Sequence, residues 1–120
     1  MKTIERGNLN EQVAMDYLIS KGLALITSNY RSRFGEIDLI MSDQNTLVFV
    51  EVRYRRSNTF GGAAMSVTPA KQRKIALTAL QFLQRNKKTT QQCRFDVIAI
   101  SKKETLWIKS AFDDPTVSTV

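Results

Sequence analysis

Apolar positions recur at two different periods along the chain, and the switches between them mark out its elements. From Asn8 to Lys21, Glu11, Ala14, Met15 and Leu18 follow the i, i+3, i+4, i+7 spacing of one helix face, and Gly22 is placed to end it. Glu11 therefore falls on the inward stripe. Leu23 to Arg31 reads as a strand, Gly35 punctuates the turn into a second, Glu36 to Met41, and Asp43-Gln44-Asn45 reads as a hairpin turn. The run Thr46 to Arg55 is a third strand whose Leu-Val-Phe-Val segment is apolar on both faces, the mark of a central strand covered on both sides. Ser57 to Val67, with Gly61-Gly62, is a loop. Thr68-Pro69 then gives an N-cap and first-turn proline for a helix running to about Asn86, with Ile75, Ala76, Ala79, Phe82 and Leu83 as its apolar stripe. After a polar connection, Lys87 to Gln92, two more strands follow, Arg94 to Ile100 and Thr105 to Lys109.

The order helix, three strands, helix, two strands predicts an α/β domain with a mixed sheet of about five strands flanked by helices, because the helical crossover after the third strand returns the chain parallel. Its 120 residues suit one domain over 1–120, with residues 113–120 as a frayed tail. No apolar run approaches a membrane span, the first residues lack the apolar stretch of a signal peptide, and Cys93 is the single cysteine. A cytoplasmic protein with no membrane association is the expectation. Eighteen Lys and Arg against eleven Asp and Glu give a net charge of +7, a balance that favours polyanions such as nucleic acid. The absence of histidine removes Ser-His-Asp and Cys-His catalysis and His-ligated zinc, so chemistry falls to carboxylates, Lys, Arg, Tyr, hydroxyls or one thiol.

Glu51 then demands an explanation, because it interrupts an otherwise apolar strand and a bare buried carboxylate costs several kcal/mol. It needs a cation, a hydrogen-bond network or an early exit of the strand into solvent. Arg53 lies two residues on, about 6.6 Å along the same strand face, and an ion pair between them is the plainest solution. On the preceding strand Glu36 and Asp38 share a face with Ile40. A hairpin whose midpoint falls between Gln44 and Asn45 sets Asp38 directly opposite Glu51. Two carboxylates converging from adjacent strands suit Mg²⁺ or Mn²⁺, which take oxygen ligands and activate water against phosphodiesters, and Arg53 is placed to steady charge developing at phosphorus.

Gly35-Glu36-Ile37-Asp38-Leu39-Ile40, Leu47-Val48-Phe49-Val50-Glu51-Val52-Arg53, Gly61-Gly62, Thr68-Pro69-x-Lys71-Gln72-Arg73 and Arg94-Phe95-Asp96-Val97 resemble the bacterial YraN family of predicted endonucleases over nearly the whole chain. That family is distantly similar to archaeal Holliday-junction resolvases within the PD-(D/E)XK superfamily. The resemblance implies a restriction-endonuclease-like fold, metal-dependent hydrolysis of structured or branched DNA, and a homodimer, although no two-fold interface can be read from the residues. It makes Asp38 the metal-binding Asp, Glu51 the Glu of the E-x-K element and Glu11 the acid of the first helix. Arg53 stands where the pattern usually has lysine; it keeps the charge but does not readily lose a proton or replace a compact ammonium beside attacking water. A nucleic-acid-binding module with a nuclease fold and weak or lost turnover is therefore the alternative.

Other positions have rival readings. Asn8-x-x-Glu11 fits a capping box. Arg53, Tyr54, Arg55 and Arg56, with Lys71, Arg73 and Lys74, form either a phosphate-contacting rim or a solvated basic face, and Gln72 either touches phosphate or fills the core edge. Tyr54 and Phe60 are stacking candidates, Glu36 reads as a solvated partner of Arg33, Asp96 as the partner of a local cation, and Cys93 and Trp107 as core.

Overall fold

A computed structural model of the chain describes residues 6–55, 67–88 and 90–115. The expected loop Ser57 to Val67 therefore lies outside the described residues apart from Val67, as do Arg56 and the last residues of the tail. The chain forms α1 (Arg6–Ser20), β1 (Ala24–Arg31), β2 (Glu36–Asp43), β3 (Thr46–Tyr54), α2 (Pro69–Arg85), β4 (Cys93–Ile100) and β5 (Thr105–Phe112). The strands make one five-stranded sheet in sequential order, antiparallel except for the parallel pairing of β3 with β4 across the α2 crossover. The architecture is the expected α/β one, a mixed sheet with two helices, consistent with a restriction-endonuclease-like fold. No described helix is long and apolar enough to cross a membrane.

Alternation along β3 divides the core. Leu47 and Phe49 join Ile75, Ala76, Ala79, Phe82 and Leu83 of α2, while Val48 and Val50 join Ala14 and Leu18 of α1. Each helix thus buries its stripe on a different face, and this is why β3 is apolar throughout its middle. Thr68 caps α2 as expected, its Oγ1 accepting from the Lys71 N–H at 3.2 Å, an interaction typically worth about 1 kcal/mol. Cys93 packs half-buried against the α2-side cluster and Trp107 against the α1-side cluster. α1 takes in Arg6 to Ser20, so Asn8 lies inside the helix and is not its cap; the capping-box reading of Glu11 is corrected. Strands β2 and β5 run to Asp43 and Phe112, past the expected Met41 and Lys109.

The β2–β3 hairpin has the predicted register. Asp43 pairs with Thr46 around Gln44-Asn45, with Gln44 in the left-handed region at φ 57°, and the ladder runs to Leu39 opposite Val50. One step further the sheet forks. β2 stays with β1 as far as Arg31 opposite Glu36, and β3 stays with β4 as far as Tyr54 opposite Ile100, but the β2–β3 ladder ends at Leu39 and Val50. Asp38 and Glu51 are the first residues past that point.

Candidate active site in the fork of the sheet

At the fork the Val52 N–H loses a β2 backbone partner, and Asp38 replaces it: Oδ2 accepts the Val52 N–H at 2.8 Å. That bond fixes the carboxylate against β3. Side-chain burial also changes face at Asp38, since Ile37 belongs with Ile40 to the α2-side cluster and Leu39 and Met41 to the α1 side. Opposite Asp38 on β1, Asn29 has φ 53°, a conformation asparagine tolerates better than most residues. Its side chain hydrogen-bonds Glu11, which reaches over from the inward stripe of α1.

The resulting cleft, about 350 Å³, is lined by Asn10, Glu11, Asp38, Glu51, Val52, Arg53 and Tyr54. Carboxylate oxygens of Glu11, Glu36 and Asp38 lie within 4.8 Å of one another, and Glu51 hydrogen-bonds Asp38 across the fork. Three of these acids, Glu11, Asp38 and Glu51, hold their protons more tightly than usual. Burial first, then the Asp38 charge, pushes Glu51 up to about 8 despite the opposing field of Arg53. Burial likewise raises Asp38, although the Val52 N–H and Glu51 counteract it, and burial followed by the Asp38 charge raises Glu11.

Arg53 Nη2 approaches Glu51 Oε2 at 3.1 Å, with the side chains only 22% and 14% exposed. Yet among the described residues neither Nη2 nor Nε of Arg53 has a hydrogen-bond partner. The pair is Coulombic, and because both nitrogens are buried the guanidinium acts on the cleft through its charge. One guanidinium leaves the site short of positive charge. A hard divalent cation fits that donor set: the facing groups are all oxygen acids, and the cleft has room for the waters and the phosphate such an ion retains.

The structure brings Asp38, Glu51, Arg53 and Glu11 together. The proposed rim is less uniform. Lys71, Arg73 and Lys74 are exposed in the first turns of α2, with Lys71 close enough to lower Glu51, while Arg55 pairs with Glu104 at 3.2 Å and Arg56 lies outside the described residues. Gln72 donates to the Val67 carbonyl at 2.9 Å and so ties down the entry to α2. Tyr54 lines the cleft; Phe60 lies outside the described residues. Glu36 is corrected: its partner is Arg31, at 2.9 Å, and its carboxylate also borders the acid cluster. Asn10, Asn29 and the cluster role of Glu36 are absent from the sequence reading. Only Glu36 left a signal there, its shared face with Asp38.

Residues 10–100 match the model of the Uncharacterised protein family UPF0102. Similar proteins include a UPF0102 protein of Psychromonas ingrahamii, 52% identical over 91% of this chain and 90% of its own length. Another from Herminiimonas arsenicoxydans is 52% identical over 89% and 86% of the two chains, and the UPF0102 protein YraN of Salmonella newport is 51% identical over 92% and 86%.

Proposed function

We propose that this chain, which belongs to the Uncharacterised protein family UPF0102, is a divalent-metal-dependent nuclease that hydrolyses phosphodiester bonds of DNA, structured or branched DNA in particular. The observation that carries the reading is the fork: it turns Asp38 and Glu51 from two strands into one partly dry cleft, beside Glu11 and under a single guanidinium. Asp38 and Glu51 would hold Mg²⁺ or Mn²⁺, with Glu11 at the edge of the site. When bound, the ion supplies Lewis-acid polarisation of a phosphoryl oxygen and makes water a nucleophile near neutral pH. The protein's own part is positional. The Val52 N–H holds one oxygen of Asp38 so that the other faces the cleft, Arg53 sets its positive charge beside the place of a non-bridging phosphate oxygen, and Lys71 adds charge from the α2 side.

A second reading, DNA binding without turnover, is favoured by the contact of Arg53 with Glu51. A guanidinium does not give up a proton and competes with a cation for the same carboxylate. One experiment separates the two: incubate the protein and Arg53→Lys with end-labelled duplex, single-stranded and four-way branched DNA, in Mg²⁺, Mn²⁺ or EDTA. The nuclease reading expects cleavage that requires the ion and vanishes in EDTA. The binding reading expects salt-sensitive retention of intact DNA, with cleavage regained in Arg53→Lys. Intact DNA in every arm, together with no binding, defeats both.

A further inference from the structure

The positive charge of the chain is concentrated. Residues 52–95 contain ten Lys and Arg and no Asp or Glu, and α2 lies within that stretch. Pairing sorts the arginines further. Arg31, Arg53, Arg55 and Arg94 each contact a carboxylate, whereas among the described residues Arg33, like Arg73 and Arg85, has none within ion-pair distance. Its guanidinium instead lies over the ring of Phe34, 4.9 Å from the centroid.

Arg33 and Phe34 form the tip of the β1–β2 turn, and that turn is held rigidly. Ser32 and Gly35 exchange backbone hydrogen bonds at 2.8 and 3.3 Å, and the Phe34 N–H donates to Ser32 Oγ at 3.0 Å. Ser32 Oγ is in turn bonded to Thr78 Oγ1 of α2 at 2.8 Å. Gly35 fits closely against α2, for a Cβ there would meet the Lys74 Cβ at 3.4 Å. Between turn and helix runs a groove of about 460 Å³ whose walls are Arg33, Phe34, Leu77, Leu80, Gln81 and Gln84. It combines a π-face and two leucines with two amides and a guanidinium. Tyr30 OH donates to Gln81 Oε1 at 2.9 Å, which fixes that amide and leaves its N–H groups as donors.

We propose that this groove is a nucleobase subsite: it takes one unpaired base of the nucleic acid whose backbone enters the carboxylate cleft, stacking it on Phe34 as Arg33 swings from the ring to a flanking phosphate, and offering the Gln81 and Gln84 amides to its edge. This rests on the nucleic-acid reading of the cleft. The chemistry is selective, since a flat ring with a hydrogen-bonding rim fits an aromatic floor with amide walls, and the flanking phosphates meet Arg73 and Lys74. Arg73 and Lys74 stand one turn before Leu77 on α2. Phe34 is four residues from Asp38, at most about 14 Å of extended chain, which a few nucleotides of an open strand can span. A base stacked and paired within a duplex cannot enter, so the subsite selects DNA with an unpaired nucleotide beside the bond to be cut.

The test is equilibrium binding in EDTA, where no cleavage can occur. Fluorescein-labelled oligothymidylate is compared with an abasic strand of equal length, which carries the same phosphates and no bases. The wild-type protein should bind oligothymidylate about fivefold or more tightly, the low end of what stacking one base contributes. Phe34→Ala should erase that preference, and so should Phe34→Leu, which keeps apolar bulk in the turn but lacks a π-face. Lys102→Ala, on the distant β4–β5 turn, should keep it. Equal affinity for the two strands, or a preference that survives in Phe34→Leu, overturns the subsite. A base preference in EDTA with no cleavage in Mn²⁺ leaves the subsite standing and removes the nuclease reading; Mn²⁺-dependent cleavage with no base preference does the reverse.

Discussion

Glu51→Gln is expected to lower Mn²⁺-dependent cleavage by roughly a thousandfold while raising the melting temperature of the metal-free protein at pH 8. The activity loss follows from the reading of Glu51 as a ligand. A bound ion contributes several kcal/mol of charge stabilisation to phosphoryl transfer, and each 1.36 kcal/mol is a factor of ten in rate. The gain in stability has a separate cause. Glu51 is buried beside Asp38, and ionising it in the folded chain works against both low polarity and a like charge. The amide of glutamine keeps the shape and removes that charge. Asp38→Asn should lose activity to a similar extent and keep an oxygen for the Val52 N–H. Opposite movement of the two readouts rules out misfolding as the reason for lost activity. A Glu51→Gln protein that melts below wild type at pH 8 would show that the fork is not electrostatically strained.

The same geometry fixes the sign of the pH dependence. Glu51 has an ordinary value of 4.5 and is raised to about 8, so between those limits the folded chain holds a proton that the unfolded chain has released. Folding stability therefore falls as pH rises through this window, by a few kcal/mol in total, and levels off above it. Asp38, raised from 3.8, adds a contribution of the same sign from lower pH. Thermal melts between pH 5 and pH 9 in EDTA should show this decline as a feature of the wild type that Glu51→Gln reduces. Mn²⁺ should reverse it, because an ion bound by carboxylates competes with their protons. A wild-type melting curve indifferent to pH across this range, or unmoved by Mn²⁺, removes the basis for a cation site.

What the sequence made legible is the register. A hairpin centred between Gln44 and Asn45 sets Asp38 opposite Glu51, because both lie the same number of residues from the turn, and the ladder has that alignment. The carboxylate in an apolar strand was legible too, since such a residue always requires a reason. The fork was not. Whether a ladder continues or opens depends on how β2 and β3 are held by β1 and β4, and the β3–β4 contacts are remote in sequence. The partner of Glu36 was misread for a related reason: once β1 folds back on β2, Arg31 is directly opposite Glu36, and Arg33 is carried to the tip of the turn. Likewise the start of α1 followed the preference of Asn8 for caps, whereas the helix already includes Arg6, so Glu11 is free of a capping role and available to the cleft.

Asp96→Ala should be the most destabilising single substitution among the polar residues, at about 3–5 kcal/mol, the cost of removing one partner from a buried charge pair. Asp96 is fully buried, and both of its oxygens are occupied. Arg94 Nε approaches them at 3.1 and 3.2 Å, Trp107 Nε1 donates at 2.9 Å, and the Ser110 N–H donates at 2.9 Å. Arg94 reaches further, through Nη2 to Asp43 Oδ2 at 3.1 Å, so one guanidinium ties the β2–β3 turn to β4. These bonds gather at the shift in β4–β5 register between Phe95 and Val97, where Ser110 takes φ 49°. Asp96 thus stands in for the ladder partners lost at the bulge, which is also how β5 extends to Phe112 beyond the irregularity. Alanine would leave Nε of Arg94, the indole N–H and a backbone N–H without acceptors in a dry setting, with Asp43 as the remaining carboxylate partner of Arg94. For a domain of this size the loss corresponds to a fall in melting temperature of roughly 10–20 °C by calorimetry. Asp96→Asn should fall less, because the amide oxygen still accepts from Trp107 or Ser110 while the charge facing Arg94 is gone. An Asp96→Ala protein that melts within a few degrees of wild type would mean that the network is replaced by water and does not hold the sheet edge together.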